Sequence, residues 1–416
     1  AESSGQDINR VSPHRYGSGW GPLTEGEYDM LNDNHIGHRG STDWAHDVLF
    51  GGIMHTKQVG DDYLINTRTN YYHKPVYSLN WKWDIDKVSS LSTTFYGSKG
   101  RGGGTGPMNA RDNYMNDDSV DIDAYYYNPA ELDNGSGQID WTQVIANNQH
   151  WSVNSEFDTT YSSTMHRSKR IIRASVNHHD WTGVLSTYNR NITDELTFTS
   201  GIDFRSYAGE HYREVVNLLG GDYYVHYRAK EGETGTERMR GVGGLIDYHN
   251  TGYHDWYGGW AQAEYATKAF SVILSGARSV SRYQRQEQYN ETEADEFSKV
   301  LIFPGSALKL GLNYNVNDNI NVFFAGGQME KAPKFSNAYL SYSNVPNTSA
   351  KNEKITSMDF GVSYRSQMID VSATYYMNTW EDKAIVIYDA PDIYNIPGLS
   401  ANHSGLEIES KIRPMD

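Results

Sequence analysis

The chain has 416 residues, no cysteine, 36 Lys+Arg against 52 Asp+Glu, and a formal net charge of −16. That balance excludes a nucleic-acid binder, which needs a basic patch for phosphate. The missing thiols exclude a disulfide scaffold and cysteine-based zinc or redox chemistry.

The chain also carries 32 tyrosines, 10 tryptophans, 12 phenylalanines and 39 glycines, at a mean hydropathy of −0.69. Amphipathic rings at this density suit a boundary between grease and water. No apolar run reaches the ~18 residues of a transmembrane helix. A β-barrel is invisible to such a scan, because half of each strand is polar. The N-terminal AESSGQDINRVSPHRYGSGWG lacks the basic start and apolar core of a signal peptide, and GLEIESKIRPMD stops just after another strand. Both ends read as cuts in a longer polypeptide.

In chain order, the first seventy or so residues read as Gly-, Asp-, Asn- and His-rich loop, with a strand at Tyr63–Tyr72. Pro75–Trp83 and Val88–Gly97 form a hairpin around Asp84-Ile85-Asp86-Lys87, with Tyr77, Leu79, Trp81 and Trp83 on one face. A polar segment follows from Ser98 to Lys169, with a short helix expected over Trp141–Asn148, capped by Asp140 and Gln143. Two long strands over Trp181–Tyr207 meet at Asn191-Ile192-Thr193-Asp194. The second alternates: Leu196, Phe198, Ile202 and Phe204 against Thr197, Thr199, Asp203 and Arg205. Val215, Val216, Leu218 and Leu219 show helical spacing within Glu210–Leu219, before Gly220-Gly221 as a C-cap. After a polar segment reaching Trp256, hairpins pair Tyr257–Ala266 with Phe270–Val280, Ala307–Tyr314 with Ile320–Phe324, and Lys354–Tyr364 with Met368–Asn378. Weaker strands lie at Lys383–Tyr388 and Gly405–Ile412.

Turns of about two to five residues alternate with polar segments of roughly 20 to 70, the loop pattern of an up-and-down outer-membrane barrel. Soluble sandwiches space their turns at ~8–12 residues without this sorting. About ten to thirteen strands are readable, fewer than the ~22 of plugged outer-membrane transporters.

Several runs resemble the barrel of TonB-dependent outer-membrane receptors: Lys74–Gly106, Ser168–Tyr224, Ala307–Phe335 and Asn352–Tyr376. Within them NVFFAGGQMEKAPKF has the family's strand followed by a Pro-aromatic loop, and the later NHSGLEIES resembles its strand carrying Gly-x-Glu. The resemblance implies an all-β, antiparallel transmembrane barrel of ~22 strands with long extracellular loops and short periplasmic turns. Residues 1–416 would be its barrel portion, without the plug domain or the closing C-terminal strands. It further implies a receptor, not an enzyme, in the bacterial outer membrane. Its partners would be outer-membrane lipid, the TonB complex through a plug outside this sequence, and a bulky ligand such as a siderophore, cobalamin, an oligosaccharide or a peptide. Two rivals stay open: a passive barrel or structural component of an envelope complex, and a secreted all-β glycan-binding protein.

Candidate ligand contacts are the rings Tyr125, Tyr126, Tyr127, Trp141 and Trp151 in the first long loop, which could stack on a sugar or siderophore. Asp117, Asp118, Asp121 and Asp123 supply oxygen donors for a structural Ca²⁺, although the EF-hand glycine and glutamate are missing; no other cofactor is expected. His178 and His179 fall on opposite strand faces and cannot share a metal; His211 with His226, or His249 with His254, could meet in space. GRGGGTG at Gly100–Gly106 lacks a P-loop's Gly-Lys-Ser/Thr ending and reads as a strand exit. No Gly-x-Ser-x-Gly elbow is present.

Overall fold

The computed structural model describes residues 69–109 and 160–413, apart from 293, 341, 342, 390 and 391, together with residues 6–7, 56–59, 62–65, 148 and 149. The strands are β1 (Gln6–Asp7), β2 (Thr56–Val59), β3 (Asp62–Ile65), β4 (Thr69–His73), β5 (Val76–Asp84), β6 (Ser89–Asn109), β7 (Arg170–Asn191) and β8 (Leu196–Asn217). They continue as β9 (Leu245–Ala266), β10 (Phe270–Glu287), β11 (Leu301–Asn315), β12 (Ile320–Lys331), β13 (Glu353–Arg365), β14 (Ile369–Asp389) and β15 (Asp392–Ile412). From β6 to β15 each strand pairs antiparallel with its sequence neighbours in one sheet. β4 and β5 both pair with β6, in a single register interrupted at Lys74-Pro75, where proline has no N–H to give the ladder.

At one end of the sheet every connection is short and closed by a side-chain oxygen. Val88 N–H donates to Asp86, Leu196 to Thr193, Phe270 to Thr267, Ile320 to Asn317 and Ile369 to Ser366, at 2.8–3.1 Å. Asx and Ser/Thr side chains form such turns because a short polar arm reaches the amide two or three residues on. The Val88 amide holds the Asp86 carboxyl below the usual carboxylate range. The opposite end carries the long segments 218–244, 288–300 and 332–352.

The two faces differ in kind. Cross-strand partners share a face, so Leu79, Phe95, Val184, Phe204, Tyr257 and Val280 form one row, and Leu312, Phe324, Phe360, Tyr375 and Leu406 another on the same side. Leu196, Phe198, Val322 and Val371 belong to this side as well. Exposure is extreme there: Leu79 66%, Ile202 63% and Ile408 68%. An apolar face running across all these strands is far beyond what a water-soluble monomer leaves bare, and lipid is the solvent that fits it. The other face carries Ser92, Thr187, Thr199, Gln262, Ser275, Lys309, Asn378 and His403.

Four expectations are corrected. Glu210–Leu219 is not a helix. β8 runs to Asn217 because Val176, Ser175 and Ala174 of β7 pair with Tyr212, Arg213 and Glu214. The turn itself comes at Leu219 and Gly220, both in left-handed backbone. The strand at Tyr63–Tyr72 is divided: Asp62–Ile65 pairs with β2 in a separate sheet, while Thr69–His73 joins β6. GRGGGTG is not a strand exit but the middle of β6, where Gly103 lies so close to Tyr71 that a Cβ would sit 2.6 Å from its hydroxyl. The segments read as polar loops after Ser98 and before Trp256 are partly strand, since β6 ends only at Asn109 and β9 starts at Leu245.

The buried apolar clusters lie at the long-loop end. Ile171, Val215, Tyr224 and Ile246 pack with Met108 and Leu218; Tyr283, Ala338 and Tyr339 pack with Leu301, Phe303 and Phe335.

Candidate functional site

On the polar face, toward the long loops, the alternation of each strand delivers aromatic rings in place of Ser and Thr. One row is Ser98, Trp181, Tyr207, His254, Tyr283 and Leu301; the next is Tyr96, Gly183, Arg205, Trp256, Ser281 and Phe303. Tyr96 meets Trp181 edge-on at 5.1 Å, His179 stacks beside Tyr207 at 6.1 Å, and His254 meets Tyr283 at 4.6 Å. The rings lie close to the sheet because glycines make room. A Cβ on Gly183 would be 2.3 Å from the Tyr96 ring, and one on Gly209 would be 2.7 Å from the Tyr207 hydroxyl. The result is an aromatic platform that a flat ligand could contact.

Charge is set into this platform. Asp203 is buried and takes the Arg205 guanidinium in a forked contact at 2.5–3.2 Å, while Arg205 itself lies over Trp256 at 5.2 Å and stays half-exposed. Closer to the loops, Arg213 and Arg228 share the carboxylate of Asp247 at 2.5 and 3.4 Å. Two cations on one anion leave a local excess of positive charge at Asp247.

Loops close over the upper edge. Segment 332–352 turns back onto the polar face: Phe335 packs on Tyr283, whose hydroxyl donates to the Pro333 carbonyl at 2.9 Å. Asn395 of β15 donates to the Ser336 carbonyl, tying the same segment to the far strands. Segment 218–244 is held by Tyr224 in its cluster and by buried Asn148. The Asn148 amide donates to the Leu218 and Leu219 carbonyls and accepts from the amides of Lys169 and Arg170. His226 lies buried in this segment. Desolvation lowers its pKa to about 4, partly offset by Asp247, and its Nδ1 accepts the Arg228 amide.

The sequence candidates Tyr125, Tyr126, Tyr127, Trp141 and Trp151, and the Ca²⁺ candidates Asp117, Asp118, Asp121 and Asp123, lie outside the described residues, as does most of the Trp141–Asn148 helix. Among the described residues no cluster of three or more His, Asp or Glu side chains could hold a metal. His178 and His179 do point to opposite faces, toward Tyr212 and Tyr207. His249 and His254 are likewise split between the faces, on Glu210 and Tyr283. His211 bonds Asn177 at 2.6 Å, and His226 is in the folded loop. Sequence reasoning missed the platform itself. The available signal was the pairing of inward aromatics with glycines once the strands are registered, Tyr96 with Gly183 and Trp260 with Gly201.

The solved structure of the copper transporter OprC resembles this chain with a TM-score of 0.51 at 10% identity, over 83% of this chain and 45% of that one. The ferric citrate transporter FecA gives 0.48 at 9% over 83% and 40%. The ferric-catecholate import receptor Fiu from E. coli K12 gives 0.49 at 12% over 95% and 50%. The chain therefore spans half or less of the length of these structures. No curated protein sequence matches it. The family model "TonB dependent receptor-like, beta-barrel" matches residues 76–413, which contain the sheet from β5 to β15. The chain belongs to the TonB-dependent receptor-like β-barrel family of the Gram-negative outer membrane.

Proposed function

We propose that the protein forms barrel wall of an energised import receptor that captures a bulky anionic ligand, a metal chelate fitting best, at its long-loop end. The observation that carries this reading is the aromatic platform of Trp181, Tyr207 and Trp256 with Arg205, facing the polar side beneath the folded loops. Rings offer stacking surface to a planar chelate, and guanidinium groups hold carboxylate or catecholate oxygens by charge-assisted hydrogen bonds. We infer coupling to the TonB complex through a plug domain of the full receptor, a reading that family membership supports.

The test compares binding with uptake of candidate chelates by cells carrying the full receptor. Trp181→Ala with Tyr207→Ala should weaken binding at least tenfold, each tenfold being ~1.4 kcal/mol. A TonB-deficient host should bind the ligand normally yet fail to accumulate it. Uptake that persists in that host would overturn the import reading and favour a passive channel.

A further inference from the structure

The lipid-facing side has a break in its apolar cover. A depression of about 600 Å³ opens between β9, β10, β11 and β12. Its floor is Gly259, Ala261 and Gly276, and Leu308, Gln328 and Glu330 line its far side. Ile202 and Leu308, beside this low floor, are 63% and 60% exposed. Packing does not explain Gly276: a Cβ there would meet nothing within 4 Å, and its backbone is not left-handed. At the loop end of the depression stands Arg278, exposed, on the same outward row as Gly259 and Ser306, and without a hydrogen-bond or ion-pair partner among the described residues.

Height makes this arginine informative. It lies about ten residues beyond the Thr267 turn, hence ~25 Å above it for a strand tilted by ~40°, at the outer margin of the apolar band. The cost of a cation there is small, and an anionic headgroup would turn it into a charge-assisted contact. Below it the outward positions of β9 stay small until Tyr265, leaving a lane as long as an extended acyl chain. Glu330, which accepts a hydrogen bond from Ser306 at 2.9 Å, closes the opposite side and disfavours a second anionic group.

We propose that this depression binds one phosphorylated glycolipid of the outer leaflet, with an acyl chain along β9 and a phosphate on Arg278. The occupant follows from continuity with the membrane face and from the unpartnered guanidinium. The assignment does not depend on which ligand is imported.

The experiment is native mass spectrometry of the full receptor in mild detergent, titrated with diphosphorylated lipid A, its dephosphorylated form, and phosphatidylethanolamine. Wild type should retain one equivalent of the phosphorylated form at least tenfold more tightly than the other two. Arg278→Gln should erase that preference while leaving the dephosphorylated form unchanged. Gly276→Leu, whose Cβ would meet nothing within 4 Å and whose side chain would project into the depression, should weaken the phosphorylated form at least tenfold. Heat-modifiable gel migration confirms that each variant is folded. Equal retention of all three lipids by wild type, or unchanged retention of the phosphorylated form by folded Gly276→Leu, would overturn the proposal.

Discussion

At the scale of single residues, face decides tolerance. Phe324 is on the outward side, paired across to Leu312 and Phe360. Thr197 is on the opposite side, beside Asn191 and Glu264. Arginine at Phe324 puts a charge near mid-bilayer and should cost ~2–4 kcal/mol, whereas Thr197→Arg meets polar neighbours and should cost well under half of that. Urea titration of refolding into lipid vesicles reads both values. Equal costs at the two positions would contradict the membrane assignment. This part of the structure was legible from sequence, because strict alternation at Leu196–Arg205 leaves no other partition of the side chains.

Among the elements, the short turns and the long segments behave differently. The turns are local: an Asp, Asn, Ser or Thr reaches its own backbone, so each could be read from a few consecutive residues. The strand ends near the long segments were misread for a physical reason. There the loops cover one side of the sheet, so Ile171 and Ile172 of β7, and Val215 and Val216 of β8, are buried as adjacent pairs and the period of two is lost. Segment 218–244 also carries its own pH dependence. His226 is neutral when folded, with a pKa near 4 against an ordinary 6.5, so the opened segment binds the proton more tightly than the closed one. Its closure is therefore fully stable above pH 6.5 and weakens as pH falls toward 4, by up to about tenfold in the open population per pH unit. Hydrogen exchange of the 218–244 amides between pH 7.5 and 5 should show faster opening on acidification. His226→Phe should flatten the trend.

For the whole molecule, the candidate site was the least legible feature. Tyr96, Trp181, Tyr207 and Trp256 come from four strands, and nothing in their spacing says they share a wall. Only the register brings them together, and register depends on pairings across the long 110–169 and 218–244 connections. The setting in which such a wall works was legible, because the runs at Lys74–Gly106, Ser168–Tyr224, Ala307–Phe335 and Asn352–Tyr376 already resemble the receptor barrel, and the family match over 76–413 bears that out.

The nearest-neighbour order of β6 to β15 has a consequence for assembly. No strand of this run needs a partner from a distant part of the sheet, so continuity of the backbone through a surface loop carries little positional information. Segment 218–244 has such a place at Glu231–Gly235, where Gly232 and Gly235 adopt left-handed backbone with open space around them. Two polypeptides divided there, residues 1–232 and the remainder, should find each other and restore a folded, heat-modifiable receptor when co-expressed. A division inside β8, between Gly201 and Ile202, should not, because it cuts the ladders to β7 and β9 together. The protein is thus organised as a sequence of interchangeable joints and indivisible staves, and its joints are where new peptide could be grafted without disturbing the wall.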